Sequence, residues 1–262
     1  MKQKIYQVDA FTDRLFGGNP AAVCPLVEWL SDEILQKIAM ENNLAETAFY
    51  VMKDEGYEIR WFTPKVEVDL CGHATLAAAF ILFEQENYQG QTINFYSSRN
   101  GNLAVTRCSG WLTLNFPADL FHPILISSEI ASCFDISPIE AYKGKTDFMF
   151  VYEKESDISE IRPDFEAISK LKARGVIITA KGNHVDFVSR FFAPQSGIIE
   201  DPVTGSAHTT LTPYWSERLH KSELSAMQLS ERKGSLKCKF LGSRVEISGQ
   251  AKMYSVGEFS FE

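Results

Sequence analysis

The segment Gly72–Glu84 has no polar face, and this limits the possible folds more than any other feature of the chain. Ala74 and every residue from 76 to 83 are apolar. A helix that is apolar all round is buried on every side. The apolar run is too short to span a bilayer. Strand-like segments flank it in the sequence, so we predict that this helix lies inside a wrapped sheet.

The flanking segments predict an α+β chain. Ser31 is placed to cap a helix over residues 32–42, whose apolar residues recur at helical spacing. A turn is predicted at residues 54–56, and Ser109-Gly110 predicts a tight hairpin. Runs rich in β-branched and aromatic residues predict strands at 5–10, 47–52, 57–62, 92–96, 102–107 and 111–116.

The chain contains two copies of one sequence plan. In each copy an aromatic run reaches a proline and then a Gly-x-Ala, and both Gly72 to Gly205 and Ala74 to Ala207 are offset by 133 residues. The same offset relates Arg99 to Arg232, Gly101 to Gly234 and Leu103 to Leu236. A duplicated domain explains this pattern, with halves at 1–118 and 119–262 and a last strand free to pack on the first half. Two unrelated α+β domains with similar turns remain the alternative.

The second copy of the apolar helix, at residues 205–219, is more polar than the first. It also contains Pro213, which has no backbone N–H and clashes with the preceding turn. We therefore expect Pro213 to kink or end the early turns of this second helix.

Composition excludes several classes of protein. Of the 262 residues, 45% are hydrophobic and 23% are charged, which is typical of a globular protein and excludes disorder and collagen-like repeats. The net charge of −8, without a basic run, argues against nucleic-acid binding, and no membrane segment is expected. Five cysteines without a C-x-x-C spacing fit a reducing compartment. Because residues 1–9 also lack a signal-peptide core, we expect a cytoplasmic protein.

Both predicted helices begin at a glycine, Gly72 or Gly205. Glycine lets a ligand approach the backbone closely, and the first N–H groups of a helix carry the positive end of its dipole. Each helix start is therefore a candidate anion site. If a pseudo-twofold relates the halves, both starts face one cleft, which suits a small carboxylate that becomes an enolate when it loses a proton.

Three ionisable side chains lie at or near these helix starts. Glu46 follows the first predicted helix and is a candidate general base, with His73 and Asp201 placed to return or relay a proton. Each also has an ordinary structural explanation. Glu46 would be a solvated charge, His73 a helix-cap histidine and Asp201 a turn residue.

Four motifs in order resemble those of the PhzF family of phenazine-biosynthesis-like proteins. They are GGNPAAV at 17–23, ETAF at 46–49, LCGHAT at 70–75 and EDPVTGSAH at 200–208. The resemblance extends from about residue 6 to 251. It implies a diaminopimelate-epimerase-like fold: two pseudo-symmetric halves, each a mostly antiparallel sheet or barrel wrapped around a central helix, with the active site between them.

The resemblance also implies roles for residues. Glu46 matches the acid/base carboxylate of the family, and His73 and Asp201 match its accessory catalytic residues. The positions expected to hold the substrate carboxylate are Gly72, Ala74, Gly205, Ser206 and Ala207. The family needs no metal or organic cofactor and commonly forms homodimers, so we expect no cofactor and a homodimer. The spacing of the histidines likewise predicts no metal site.

The function that follows is a cofactor-independent isomerase that moves a double bond in a small carboxylate. One alternative is an amino-acid epimerase or racemase that uses Glu46 or Cys71. Related epimerases have a cysteine at each helix start, whereas this chain has Cys71 at the first and Thr204 at the second, which argues against two thiols. We expect Cys71 to be a core residue instead. The other alternative is a non-catalytic module that binds small carboxylates.

Overall fold

The computed structural model describes residues 2–53 and 56–260. The chain divides into two compact units, one formed by Met1–Asn115 with Ser248–Glu262 and the other by Phe116–Ile247. The predicted turn at 54–56 falls largely on Asp54 and Glu55, which lie outside the described residues. Among the helices that the structure describes, none is both long and apolar enough to cross a membrane.

The first unit is built mainly of strands. Its helices are α1 (Asp32–Asn42) and α2 (Gly72–Glu84). Its strands are β1 (Lys2–Ala10), β2 (Asn19–Leu26), β3 (Glu46–Lys53), β4 (Gly56–Phe62), β5 (Glu67–Val68), β6 (Thr92–Ser97), β7 (Gly101–Cys108), β8 (Trp111–Pro117) and the late strand β17 (Ala251–Ser260).

Strand pairing in this unit is mostly antiparallel. β1 pairs antiparallel with β17 and with β2. β2 then runs parallel to β3, and α1 makes the crossover between them. β3 pairs antiparallel with β4, β4 runs parallel to β6 across α2, and β6, β7 and β8 form an antiparallel meander.

Helix α2 is buried, as predicted. Every residue from His73 to Phe83 is buried except Phe80, which is partly buried. The helix packs against β1, β2 and β3. Its small residues Ala77, Ala78 and Ala79 are inaccessible to solvent. The core of the first unit therefore forms around this helix.

Local predictions in the first unit are confirmed with one correction. Helix α1 has the predicted bounds, and Ser109 and Gly110 both adopt the positive φ that a tight hairpin needs, at 48° and 78°. Ser31 does occupy the N-cap position of α1. However, within the described residues the Ser31 side chain makes no capping hydrogen bond to α1. The Ser31 carbonyl instead accepts from the amides of Ile34 and Leu35.

The second unit has the same kinds of elements. Its helices are α3 (Ser128–Ala131), α4 (Glu155–Glu160), α5 (Phe165–Lys170) and α6 (Ala207–Leu219), with a 3-10 turn at Pro194–Ser196. Its strands are β9 (His122–Ile124), β10 (Glu140–Lys143), β11 (Asp147–Val151), β12 (Gly175–Lys181), β13 (Phe187–Phe192), β14 (Glu223–Gln228), β15 (Gly234–Phe240) and β16 (Arg244–Gly249).

The second unit repeats the pairing order of the first. From β10 to β15 the successive pairings are antiparallel, parallel, antiparallel, parallel and antiparallel. The series from β1 through β2, β3, β4 and β6 to β7 has the same order. Strands β7 and β15 begin at Gly101 and Gly234, and thus keep the offset seen in the sequence. The two units therefore share one order of pairings, and the duplication with its predicted bounds stays a prediction.

Two expectations for the second long helix are corrected. Helix α6 begins at Ala207 rather than at Gly205, and it continues through Pro213 to Leu219. Pro213 cannot donate to the carbonyl of Thr209, one turn earlier. That carbonyl instead accepts the amide of Asp119 at 3.1 Å. Because the freed acceptor has a new donor, the helix does not end at the proline, and the kink expected there stays a prediction.

Candidate active site

The chain path between α1 and β3 places Glu46. Helix α1 ends at Asn42, and its C-cap residue Asn43 adopts a left-handed conformation with φ of 47°. The Asn42 side chain then donates to Oγ1 of Thr47 at 3.1 Å, which ties the end of the helix to the new strand. Glu46 is the first residue of β3 and pairs with Ala21 of β2. Its backbone is thus fixed by the sheet rather than by a loop.

His73 lies beside Glu46. It is the second residue of α2, and its Nε2 is 3.2 Å from Oε2 of Glu46. Only 7% of the His73 side chain and 13% of the Glu46 side chain are exposed. The structure therefore brings two of the three predicted catalytic residues into hydrogen-bonding distance in a nearly dry environment.

Cys71 completes this cluster. It is the N-cap residue of α2, and its Sγ lies 3.5 Å from Nδ1 of His73. The carbonyl of Cys71 accepts both the amide and the hydroxyl of Thr75, at 3.1 and 2.6 Å. The residue is buried, as we expected, but its thiol faces a polar ring rather than only core side chains.

Burial makes His73 a neutral side chain. It lowers the pKa of His73 from 6.5 to about 3, because the charged imidazolium loses its hydration. At neutral pH the ring therefore carries one proton, donates from one nitrogen and accepts at the other. Such a ring can donate to Glu46 without becoming a cation.

The donor atoms of Glu46, Cys71 and His73 all lie within 4.8 Å of one another, which is close enough to consider a metal. The imidazole, however, presents one nitrogen to the thiol and the other to the carboxylate. A shared metal would have to take one of these nitrogens away from its present neighbour. The arrangement suits hydrogen bonding along the ring better than a shared metal.

Of the other predicted residues, Gly72 and Ala74 lie at the start of α2, whereas Asp201, Gly205, Ser206 and Ala207 lie in the second unit around the start of α6. The carboxylate Oδ2 of Asp201 accepts the hydroxyl of Thr204 at 2.5 Å. The amide of Thr204 donates to Oε1 of Gln228 at 2.9 Å, and Nε2 of Gln228 donates to the carbonyl of Asp201 at 2.7 Å. Gln228 is inaccessible to solvent, and its two hydrogen bonds hold the turn between Asp201 and Thr204 in place.

Ser206 is held by a residue that the sequence analysis missed. Its Oγ accepts from Nη2 of Arg174 at 2.9 Å. Arg174 is in turn paired with the buried carboxylate of Asp147, with Nε to Oδ1 at 2.9 Å. This chain of contacts fixes the hydroxyl at the start of α6. Nothing near Arg174 in the sequence indicates these partners.

The position of Gln228 in the sequence could have indicated a buried hydrogen-bonding role. In β14 the buried positions alternate, and Leu224, Ala226 and Gln228 share the inward face. A glutamine on an otherwise apolar strand face needs buried partners. The catalytic roles predicted for Glu46, His73 and Asp201 stay predictions, as do the binding roles predicted for Gly72, Ala74, Gly205, Ser206 and Ala207.

Comparisons with known proteins agree with this architecture. A family model described as phenazine biosynthesis-like protein, PhzC-PhzF, matches residues 8–257. A protein of Pseudomonas aeruginosa named as an uncharacterised isomerase is 49% identical over 98% of both chains. The crystal structure of a PhzF-family phenazine biosynthesis protein from Enterococcus faecalis is 47% identical, with a TM-score of 0.97 over all of both chains.

A more distant likeness concerns the fold alone. A hydroxyproline epimerase from Agrobacterium vitis is 8% identical, with a TM-score of 0.62 over 98% of this chain and 92% of its own. The predicted α+β, epimerase-like fold is thereby confirmed. Because the family model and the named isomerase each cover nearly the whole chain, this protein belongs to the phenazine biosynthesis-like PhzF family and is an isomerase.

Proposed function

We propose that this isomerase moves a proton, and with it a double bond, within a small carboxylate, and that Glu46 is the general acid/base. The observation that supports this proposal is the contact between Oε2 of Glu46 and Nε2 of His73 at 3.2 Å. A buried carboxylate with a neutral hydrogen-bond donor beside it can take and return a proton without a cofactor.

The proposed reaction balances without an oxidant or a second substrate. The Glu46 carboxylate removes a proton from a carbon conjugated to the substrate carboxylate. The C–H electron pair enters the conjugated system and gives an extended enolate. The Glu46 carboxyl, after its proton has exchanged with water, then donates to a different carbon, and the double bond moves. Atoms, electrons and charge are conserved, and Glu46 returns to its ionised form.

His73 is proposed to stabilise the carboxylate form of Glu46. A neutral Nε2–H that donates to the carboxylate favours the charged form by hydrogen bonding. A cationic imidazole would favour it more strongly and make Glu46 a weaker base. The lowered pKa of His73 therefore suits a base that must take a proton from carbon.

An epimerase is the second candidate, because Cys71 lies in the same cluster. Its Sγ is 3.5 Å from His73, so a thiol and a carboxylate flank one imidazole. In that reaction one group would remove the α-proton and the other would return it from the opposite face. The stereocentre would be inverted, and no double bond would move.

The test is deuterium uptake from heavy water, followed by NMR with a dihydro-hydroxyanthranilate and a panel of amino and hydroxy acids. We expect wild-type protein to label a substrate at a carbon conjugated to its carboxylate. Glu46→Gln should lower the rate by roughly 10²–10⁴-fold, the range for the loss of a general acid/base. Label at an α-carbon with inversion would instead support the epimerase.

Glu41→Gln is the matched control, since Glu41 is an exposed carboxylate in the nearby helix α1. This variant should label substrate at the wild-type rate. Full activity in Glu46→Gln would rule out Glu46 as the acid/base.

A further inference from the structure

The His73 ring lies between two groups that can each exchange a hydrogen with it. Nε2 lies 3.2 Å from Oε2 of Glu46, and Nδ1 lies 3.5 Å from Sγ of Cys71. The second distance is within the range for a sulfur hydrogen bond. Glu46 lies at the start of β3, whereas Cys71 and His73 lie at the start of α2, so two separate elements bring the three side chains together with the imidazole in contact with both neighbours.

Hydrogen bonding limits where the hydrogens can lie among Glu46, His73 and Cys71. Because burial keeps His73 neutral, only one of its two nitrogens carries hydrogen. An ionised carboxylate only accepts, so the nitrogen that faces Glu46 must be the donor. Nδ1 is then an acceptor, and the group facing it must donate. A thiol S–H is such a donor, although a weak one.

We propose that Cys71 is a positioning residue for proton transfer at Glu46: its thiol donates to Nδ1 of His73 and thereby keeps the Nε2 hydrogen of His73 on the Glu46 carboxylate. This inference rests on the proposed function of Glu46 and assigns Cys71 a role beyond core packing. The second nitrogen of a histidine that acts in catalysis commonly sets which tautomer is present.

The backbone around Cys71 fits a fixed thiol. Its carbonyl accepts both the amide and the hydroxyl of Thr75, which anchors the residue to the first turn of α2. Cys71 itself is 6% exposed, so water is largely excluded from the S–H to Nδ1 contact. A hydrogen bond in a dry site is stronger than the same bond in water.

One consequence concerns which oxygen of Glu46 reacts. Oε2 of Glu46 is buried and lies 3.2 Å from Nε2 of His73. Under this proposal Oε2 receives the Nε2 hydrogen, and the proton taken from the substrate is carried on Oε1 and returned from Oε1. A single oxygen that removes and returns the proton keeps both steps on one face of the substrate.

The second unit provides a reference of the opposite tautomer within the same protein. Nδ1 of the buried His208 lies 2.8 Å from the carbonyl oxygen of Thr204. A carbonyl only accepts, so His208 must carry its hydrogen on Nδ1. The two buried histidines should therefore give distinct signals in the same spectrum.

The test is ¹⁵N NMR of histidine-labelled wild-type protein, with signals assigned by loss in His73→Gln and His208→Gln. We expect His73 as the Nε2–H tautomer and His208 as the Nδ1–H tautomer. In Glu46→Gln the thiol alone should still hold His73 as Nε2–H. In the double variant Glu46→Gln/Cys71→Ala that preference should be lost. Hydrogen on Nδ1 of wild-type His73, or an unchanged tautomer in the double variant, would overturn the proposal.

Activity gives a second readout. Cys71→Ala should lower kcat roughly tenfold with KM unchanged, a smaller loss than removing the acid/base itself. Cys71→Ser, which keeps a donor, should restore most of kcat. The exposed Cys108 is the matched control, and Cys108→Ala should retain wild-type kcat. Full kcat in Cys71→Ala, or no rescue by serine, would contradict a positioning role. Activity that persists in Glu46→Gln would reject the proposed function instead, whatever the tautomer of His73.

Discussion

The starts of α2 and α6 occupy equivalent places in the two units, yet they use different chemistry. At α2, Glu46 and His73 meet with little exposure to solvent. At α6, Asp201 accepts from Thr204, and buried Gln228 braces the same turn through two hydrogen bonds. The same place in the two units thus holds a buried carboxylate–imidazole pair in one unit and a hydrogen-bonded turn in the other.

Helices α2 and α6 also differ in the polarity of their buried side chains. Helix α2 is nearly all apolar, whereas α6 buries Thr210 and Thr212. The Thr212 hydroxyl donates to the carbonyl of His208 at 2.6 Å, and that of Thr210 donates to Asp119 at 2.8 Å. The comparison shows that a buried central helix can be apolar or internally hydrogen-bonded, provided that its polar groups have partners.

The largest effect of a single substitution on stability is expected in the apolar helix. Leu76 of α2 is inaccessible to solvent, and Leu76→Ala should lower the free energy of unfolding by about 3 kcal/mol through lost burial and a cavity. Urea denaturation measures this change. Leu125, which is 91% exposed, is the matched control, and Leu125→Ala should change stability by less than about 0.5 kcal/mol. Equal losses in the two variants would contradict a core centred on α2.

Acid should test both helix starts together. Burial lowers the pKa of His73 to about 3 and that of His208 to about 4, whereas an unfolded histidine titrates near 6.5. Each folded pKa is depressed, so the unfolded state binds more protons below pH 6.5. Stability should be full above that pH and fall as pH decreases from 6.5 toward 4. The loss at pH 5 should be about 2 kcal/mol per histidine.

Urea denaturation at pH 7 and pH 5 measures this acid effect. Replacing either buried histidine by glutamine should reduce the slope with pH, by a similar amount for each. A wild-type slope in both variants would show that carboxylates, not these histidines, cause the loss.

A smaller effect is expected at the braced turn. Gln228→Leu removes the acceptor for the Thr204 amide and the donor for the Asp201 carbonyl. The free energy of unfolding should fall by about 1.5 kcal/mol, since buried groups lose their partners. Gln228→Glu keeps an acceptor for Thr204 but places a buried carboxylate against the Asp201 carbonyl, and should lose more. Differential scanning calorimetry would distinguish the two variants, and an unaltered leucine variant would show that the turn does not need this brace.

The smallest effect is expected at Pro213. Proline inside a helix commonly costs about 3 kcal/mol, partly through a lost hydrogen bond. Here the affected carbonyl of Thr209 already accepts from Asp119. Pro213→Ala should therefore raise stability by less than about 1 kcal/mol in thermal denaturation. A gain in stability of about 3 kcal/mol would mean that the Asp119 hydrogen bond does not compensate for the one lost at Pro213.

Much of the fold was predictable because it depends on local pattern. Helices α1 and α2 have the predicted bounds, since their apolar residues alone specify period and burial. The start of α6 and the continuity through Pro213 were not predicted. The partner that satisfies the freed carbonyl, Asp119, lies far away in the sequence.

The site was predictable only in part. Motif resemblance singled out Glu46 and His73, and the structure shows that they meet. The line from Cys71 through His73 depends on how β3 and α2 pack, which no spacing encodes. Arg174 and Gln228 act through partners distant in sequence, so side-chain type alone gave no role for the arginine.

The division of the chain has a consequence for biosynthesis. Strand β1 pairs along its length with β17, from Lys2 opposite Ser260 to Ala10 opposite Ala251. The contiguous second unit, Phe116–Ile247, is translated in full before β17 exists. During synthesis the edge of β1 that pairs with β17 therefore stays unpaired until β17 is made, by which time the second unit can already fold. An open strand edge is a template for wrong pairing, so the nascent first unit is the one that most needs protection by chaperones.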